Sequence, residues 1–198
     1  PKQLTYFPTT DTPSQWNANG DILFNSNRMY KGPEWDPAMY VVNESGATPE
    51  RLITALGSQP AMSPNRNFIA FVKGACRISR EDYSGSAQRD VWIYNVKTKK
   101  YHQITTSAKN DHTPLWDANN NLYFVSAQSG RYNIYKASLN SDGSLKGKET
   151  RLTRLNKNGV WSYSVSSNGT IVYNTGIDVY IRKNGSNRKL NLNLATDN

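Results

Sequence analysis

The sequence predicts an all-β chain, built as a β-propeller of four four-stranded antiparallel blades. Three observations carry that prediction. The same residue types recur in the same order at separations of 46, 54 and 49 residues, counted between Asn19, Asn65, Asn119 and Asn168. Each recurrence holds four short runs rich in Val, Ile, Tyr, Phe and Thr, which suit a pleated, half-buried surface. No stretch combines a helical period with helix caps. Four strands in a repeat of about 40–50 residues is the pattern of propeller blades. A β-sandwich of sixteen short strands is the alternative, and equivalent places for Trp16 and Trp116 would decide for the propeller.

The elements follow in order within each unit. Three positions before the aligned Asn stand Trp16, Met62, Trp116 and Val165, on the first strand. A turn comes next: Asn19-Gly20, Pro64-Asn65-Arg66-Asn67, Asn119-Asn120 and Asn168-Gly169. Asn and Gly accept the positive φ of tight hairpins, so strand one pairs directly with strand two. The second strand carries Phe24, Phe71, Phe124 and Tyr173, and the third carries Tyr40, Trp92, Tyr135 and Tyr180. Each unit closes on a basic or amide residue and an aliphatic, often followed by Thr, as in Arg51-Leu52-Ile53, Gln103-Ile104-Thr105, Arg151-Leu152-Thr153 and Lys189-Leu190. In the second unit the strands are expected at Gln59 to Ser63, Phe68 to Val72, Val91 to Tyr94 and Tyr101 to Thr105. The blades are expected at 9–53, 54–105, 106–153 and 154–194. One blade cannot cover both of its own faces, so the large aromatics, Trp16, Trp116, Phe24, Phe71, Phe124, Trp92 and Tyr135, are expected between blades.

Composition narrows the function. The chain of 198 residues has 12 Tyr and 5 Trp, which argues against disorder. No apolar run approaches the roughly 18 residues of a membrane span, so no integral membrane segment is expected. The single Cys76 excludes an intrachain disulfide and a cysteine zinc cluster. The net charge of +9 is spread along the chain, and nucleic acid is not expected as a partner. Many of the 23 Asn mark turns. The abundance of Tyr, Asn and Thr suggests an exported protein, periplasmic or secreted.

No catalytic set is visible. The histidines, His102 and His112, are expected in an outer strand and in a surface turn, and no Ser sits in a nucleophile-elbow sequence. Glu81-Asp82 and Asp111-His112 are adjacent pairs rather than spaced ligands, so neither a metal nor another cofactor is expected. Asp90, Asn133 and Asp178 read as packing or turn-capping positions. Cys76 reads as a small buried residue. The feature that stands out is the link from Gly74 to Arg89, which at 16 residues exceeds a normal hairpin connection. Its Arg77, Arg80, Tyr83 and Arg89 suit contact with a carboxylate or a peptide. Trp35, in the equivalent link of the first unit, is the candidate partner on the same rim.

The repeat resembles a known family at Asp11-Thr12-Pro13-Ser14-Gln15-Trp16 and Asp111-His112-Thr113-Pro114-Leu115-Trp116, each followed by a turn and a strand ending in Phe24 or Phe124. This is similar to the WD-like propeller repeat of the tricorn and TolB type. Ser63-Pro64-Asn65 comes nearest to that repeat's usual Ser-Pro-Asp-Gly turn. Arg89-Asp90-Val91-Trp92-Ile93-Tyr94 with Gln103-Ile104-Thr105 resembles the amino-terminal propeller of tricorn-type serine peptidases. The resemblance implies a non-catalytic gating, substrate-admitting or peptide-binding module beside a peptidase whose catalytic residues lie in other domains. The alternatives are a TolB-like envelope adaptor and a propeller enzyme such as a sugar lyase.

Gln3-Leu4-Thr5 matches the closing element of a unit whose other strands are absent, so residues 1–8 are expected to close a preceding blade. The chain then reads as a fragment of a six- or seven-bladed propeller. Its open end faces call for further blades and domains of a parent chain, or for self-association.

Overall fold

A computed structural model of the chain describes residues 2–28 and 36–191. Sixteen strands form four sheets, each a meander hydrogen-bonded in sequence order. The first sheet holds β1 (Asp11–Trp16), β2 (Asp21–Ser26), β3 (Ala38–Asn43) and β4 (Glu50–Leu56). The second holds β5 (Ser58–Met62), β6 (Phe68–Lys73), β7 (Asp90–Asn95) and β8 (Tyr101–Gln103). The third holds β9 (Asp111–Trp116), β10 (Leu122–Ser126), β11 (Asn133–Ala137) and β12 (Thr150–Arg151). The fourth holds β13 (Ser162–Val165), β14 (Ile171–Thr175), β15 (Asp178–Lys183) and β16 (Ser186–Lys189). The fold is all-β, a propeller fragment.

Local chemistry explains the repeated columns. In every first hairpin the residue with positive φ, namely Gly20, Arg66, Asn120 or Gly169, donates its N–H to the carbonyl three positions earlier. The closing columns are also local. The side chains of Arg51, Gln103 and Arg151 each donate to the carbonyl two residues on, at 3.1, 2.9 and 2.7 Å. The hydroxyls of Thr105 and Thr153 accept the N–H of Val91 and Ile134, both at 2.9 Å, which ties the exit from the last strand back to the third.

The sheets stack face to face with one polarity. On the second and third strands the pairs Phe71 with Trp92, Phe124 with Tyr135, and Tyr173 with Tyr180 lie directly opposite each other. Each pair joins a cluster with the preceding sheet. Phe71 meets Met39 and Ile53, Phe124 meets Phe68 and Ile93, and Tyr173 meets Tyr123 and Val125. Among the described residues, no hydrogen bond or hydrophobic cluster joins the first sheet to the fourth.

Trp16 and Trp116 hold the same register place, opposite Ile22 and Leu122, with a bulge just upstream in both strands. Their surroundings differ. The Trp116 indole N–H donates to the Ala61 carbonyl of the preceding sheet at 3.0 Å. Among the described residues no sheet packs over Trp16, which is 66% exposed rather than packed between blades as Trp116 is. The equivalent aromatic pair of the first sheet, Phe24 and Tyr40, is nevertheless buried. The Arg28 guanidinium lies 5.0 Å from both ring centres and 5.7 Å from that of Phe7.

Residues 2–10 contain no strand, where the sequence predicts the closing strand of a preceding blade. The segment rests on the first sheet instead, through Phe7, a Thr9–Ser26 hydroxyl contact of 3.3 Å, and Lys2 on the Ser45 carbonyl. Among the described residues the outward face of the fourth sheet has no such cover, and Val172 on it is 39% exposed. Trp116→Ala is therefore expected to cost about 2–4 kcal/mol, and Trp16→Ala within about 0.5 kcal/mol, in urea unfolding.

Candidate functional site

The meander order fixes where irregular segments emerge. The link from second to third strand and the passage to the next sheet lie at one rim, while the short hairpin turns lie at the other. The Gly74–Arg89 link, the 104–110 and 152–161 passages and the β10–β11 turn therefore share a rim.

The long link is tied down along its length. At its base Gly74 has φ +118°, and a Cβ there would stand 1.9 Å from the Gln88 carbonyl oxygen, so only glycine fits. Cys76 N–H donates to Ala87 O at 2.8 Å, and turns follow at Arg80, Tyr83 and Gln88. Asn110 is buried and clamps the link from below. Its amide donates to Arg80 O at 2.5 Å and to the Cys76 sulfur at 3.3 Å, and its oxygen accepts Arg89 N–H at 3.0 Å. Tyr132 of the third sheet donates its hydroxyl to Ile78 O at 2.6 Å. Two ion pairs complete the seam, Arg131 with Glu81 at 3.2 Å and Lys109 with Asp82 at 3.1 Å. The link thus starts in the second sheet, crosses the third, and reaches the approach to the fourth at Gly159, where a Cβ would meet Glu81 at 2.5 Å.

Between the link and that approach lies a basin of about 640 Å³, walled by residues 79–83 on one side and by Arg131, residues 157–159 and Trp161 on the other. It adjoins a second depression of about 460 Å³ at Ile78, Tyr132, Val160 and Trp161. Of the expected contact residues, Arg80 and Tyr83 stand here, with the Arg80 guanidinium 4.9 Å from the Tyr83 ring centre. Arg77 is exposed but does not line the basin. Arg89 turns inward, where its guanidinium donates to Cys76 O at 3.3 Å and Ser58 Oγ at 3.1 Å. Burial pulls its pKa down, which suits a structural post rather than a ligand contact. Trp35 lies outside the described residues. Arg131, Lys157 and Trp161 belong to other units, and no sequence spacing ties them to the link.

Beneath the link lies a pair that the sequence places in a surface turn. His112 is only 2% exposed, so the structure corrects that expectation. The covering link, with the Tyr132 ring packed edge-on at 4.6 Å, removes it from water. Its Nδ1 meets Thr113 Oγ1 at 2.8 Å, and its Nε2 has no partner. Burial, with Arg89 nearby, pushes its pKa down to about 3.

Neighbouring Asp111 is fully buried, and burial pushes its carboxyl up to about 7. The hydroxyls of Ser126 and Thr105 offset only part of this, and Asp90 and Glu149 add to it. Asp11, the register equivalent in the first sheet, is less deeply buried, and its ion pair with Arg28 at 2.5 Å holds its carboxyl below the usual range. The third sheet has Gln128 where the first has Arg28, and both bond their backbone N–H to the matching serine at 3.2 Å. Asp111 therefore lacks its cation. His112 is sealed from substrate, and among the described residues no group of three His, Cys, Asp or Glu is arranged to hold a metal.

The fold and this rim define a β-propeller module. The sequence matches the tricorn protease N-terminal beta propeller domain over residues 1–188, and the chain belongs to that family. No curated protein matches it. Among solved structures, the tricorn protease superposes with a TM-score of 0.77 at 14% identity, over 100% of this chain and 19% of that one. A putative TolB from Agrobacterium tumefaciens gives 0.64 at 15% identity, over 86% of this chain and 60% of that one. A puromycin-hydrolyzing peptidase of Mycobacterium tuberculosis gives 0.64 at 13% identity, over 93% and 31%. The chain thus spans less than two thirds of each of these proteins, and the likeness to them is one of fold.

The buried pair has opposed pH effects. Asp111 holds its proton more tightly folded than unfolded, so its contribution is lost as pH rises from about 4 to 7. His112 holds its proton less tightly folded, so its contribution is lost as pH falls from about 6.5 to 3. Asp111→Asn removes the first effect. The variant is expected to gain about 2–4 kcal/mol at pH 8 and little at pH 4, with stability in calorimetry then rising from pH 4 to about 6.5 and level above that.

Proposed function

We propose that the chain is a non-catalytic module that binds or admits peptide for a serine peptidase of the tricorn type. The observation that supports this best is the open basin at the rim, walled by segments from three units and bounded by the 16-residue link. Membership of the tricorn propeller family agrees with such a parent. The enclosure of His112 speaks against a base acting from this chain on substrate. A second reading, a TolB-like module that docks other proteins, draws on the fold similarity to the TolB structure. On composition the module is placed outside the cytoplasm, which cell fractionation would check.

The Val172 face of the fourth sheet is read as the seat of a further blade. The isolated chain is then expected to associate weakly through that face, as apolar sheet faces do when uncovered. Light scattering should show a concentration-dependent mass that Val172→Lys reduces.

Mass spectrometry of peptide mixtures incubated with the chain tests the main reading. Peptides should be retained intact, whereas hydrolysis by the chain alone would contradict a non-catalytic role. The reading frame should continue past codon 198 into a serine peptidase domain. Its absence would favour the TolB-like module.

A further inference from the structure

The two halves of the rim basin differ in chemistry, and together they specify a ligand. In the polar half the charges do not balance. Arg131 neutralises Glu81 and Lys109 neutralises Asp82, which leaves Arg80 and Lys157 with no carboxylate partner among the described residues. Arg80 is preset by its stacking on Tyr83, so little side-chain freedom is lost when it meets an anion. In the other half Ile78 and Trp161 are both exposed large apolar side chains, side by side above Val160 and Tyr132. Exposed apolar surface of this kind beside polar anchors is the pattern of a recognition pocket. The combined depression is of a size that holds a few residues of an extended peptide. The net charge of +9 favours the approach of an anionic ligand.

We propose that this basin binds an acidic peptide segment, seating one large apolar side chain between Ile78 and Trp161 and the adjacent side-chain carboxylates against Arg80 and Lys157. This deepens the peptide-binding reading and rests on it. Recognition comes from internal Glu or Asp side chains, so a peptide with both termini blocked is a sufficient ligand.

The probe is acetyl-Gly-Glu-Phe-Glu-Gly-amide, compared by titration calorimetry with its analogue carrying Gln in place of both Glu. The wild-type chain should bind the Glu peptide about tenfold more tightly, as one or two charge-assisted hydrogen bonds would give. Added salt should narrow that gap. Arg80→Gln and Lys157→Gln should each weaken the Glu peptide about five- to tenfold and leave the Gln peptide unchanged. Trp161→Ala should weaken both peptides. These side chains are exposed, and unchanged thermal melts would confirm that the variants fold. Equal binding of the two peptides overturns the proposal. So does binding that none of the three substitutions alters, which would place peptide elsewhere on the module and leave peptide binding itself standing. Failure of both peptides and of the mixed peptide pool to bind would remove the two readings together.

Discussion

A four-stranded antiparallel sheet with apolar side chains on both faces is stable only when something covers each face, and the structure follows from that requirement. The second and third sheets are covered on both sides by their neighbours. The stacking has a direction, because the opposed aromatic pair of each sheet leans on the sheet before it. A fold of this kind leaves its two ends unlike. One end presents the aromatic pair Phe24 and Tyr40, capped by Arg28 and Phe7, and the other presents aliphatic residues around Val172. Residues 2–10, which hold no strand, meet this end through Phe7, Thr9 and Lys2.

The same stacking frees the rim. Sheet faces carry the stability, so the link between β6 and β7 can lengthen to 16 residues without disturbing them. Its length lets it cross a whole sheet and bring Arg80 within one basin of Lys157 and Trp161. The crossing has a consequence below it. Asp111 and His112, at the start of β9, lose their water, and two ordinary titrating groups become a neutral histidine and a carboxyl that titrates near neutrality. Asp11 and Asp111 share a register place, but Asp11 is partly exposed and paired with Arg28, whereas Asp111 is fully buried and has no cation partner among the described residues.

What could be read from the sequence was set by the range of the interactions. The hairpin turns and the basic closing column were legible because their bonds span two or three residues, as at Gly20, Asn120, Arg51 and Arg151. The paired aromatics were legible because register repeats them. Trp16 was not, because its column predicts a place in the stack while burial depends on a neighbouring sheet. His112 was misplaced for a related reason, since a link from another unit decides what covers it. The basin was half legible. Arg80 and Tyr83 announced themselves through the length and composition of their link, whereas Arg131, Lys157 and Trp161 join them only in three dimensions.

Native-state hydrogen exchange tests the central claim, that face-to-face covering of sheets holds this chain together, most directly. Covered sheets should open only with the whole molecule, and a sheet with one bare face should open at lower free energy. Amides of β6, β7, β10 and β11 are expected to exchange slowest, at the rate of global unfolding, while those of β14 and β15 exchange faster through a partial opening. Equal protection of β14 and β10, or slower exchange in the fourth sheet than in the third, would contradict it.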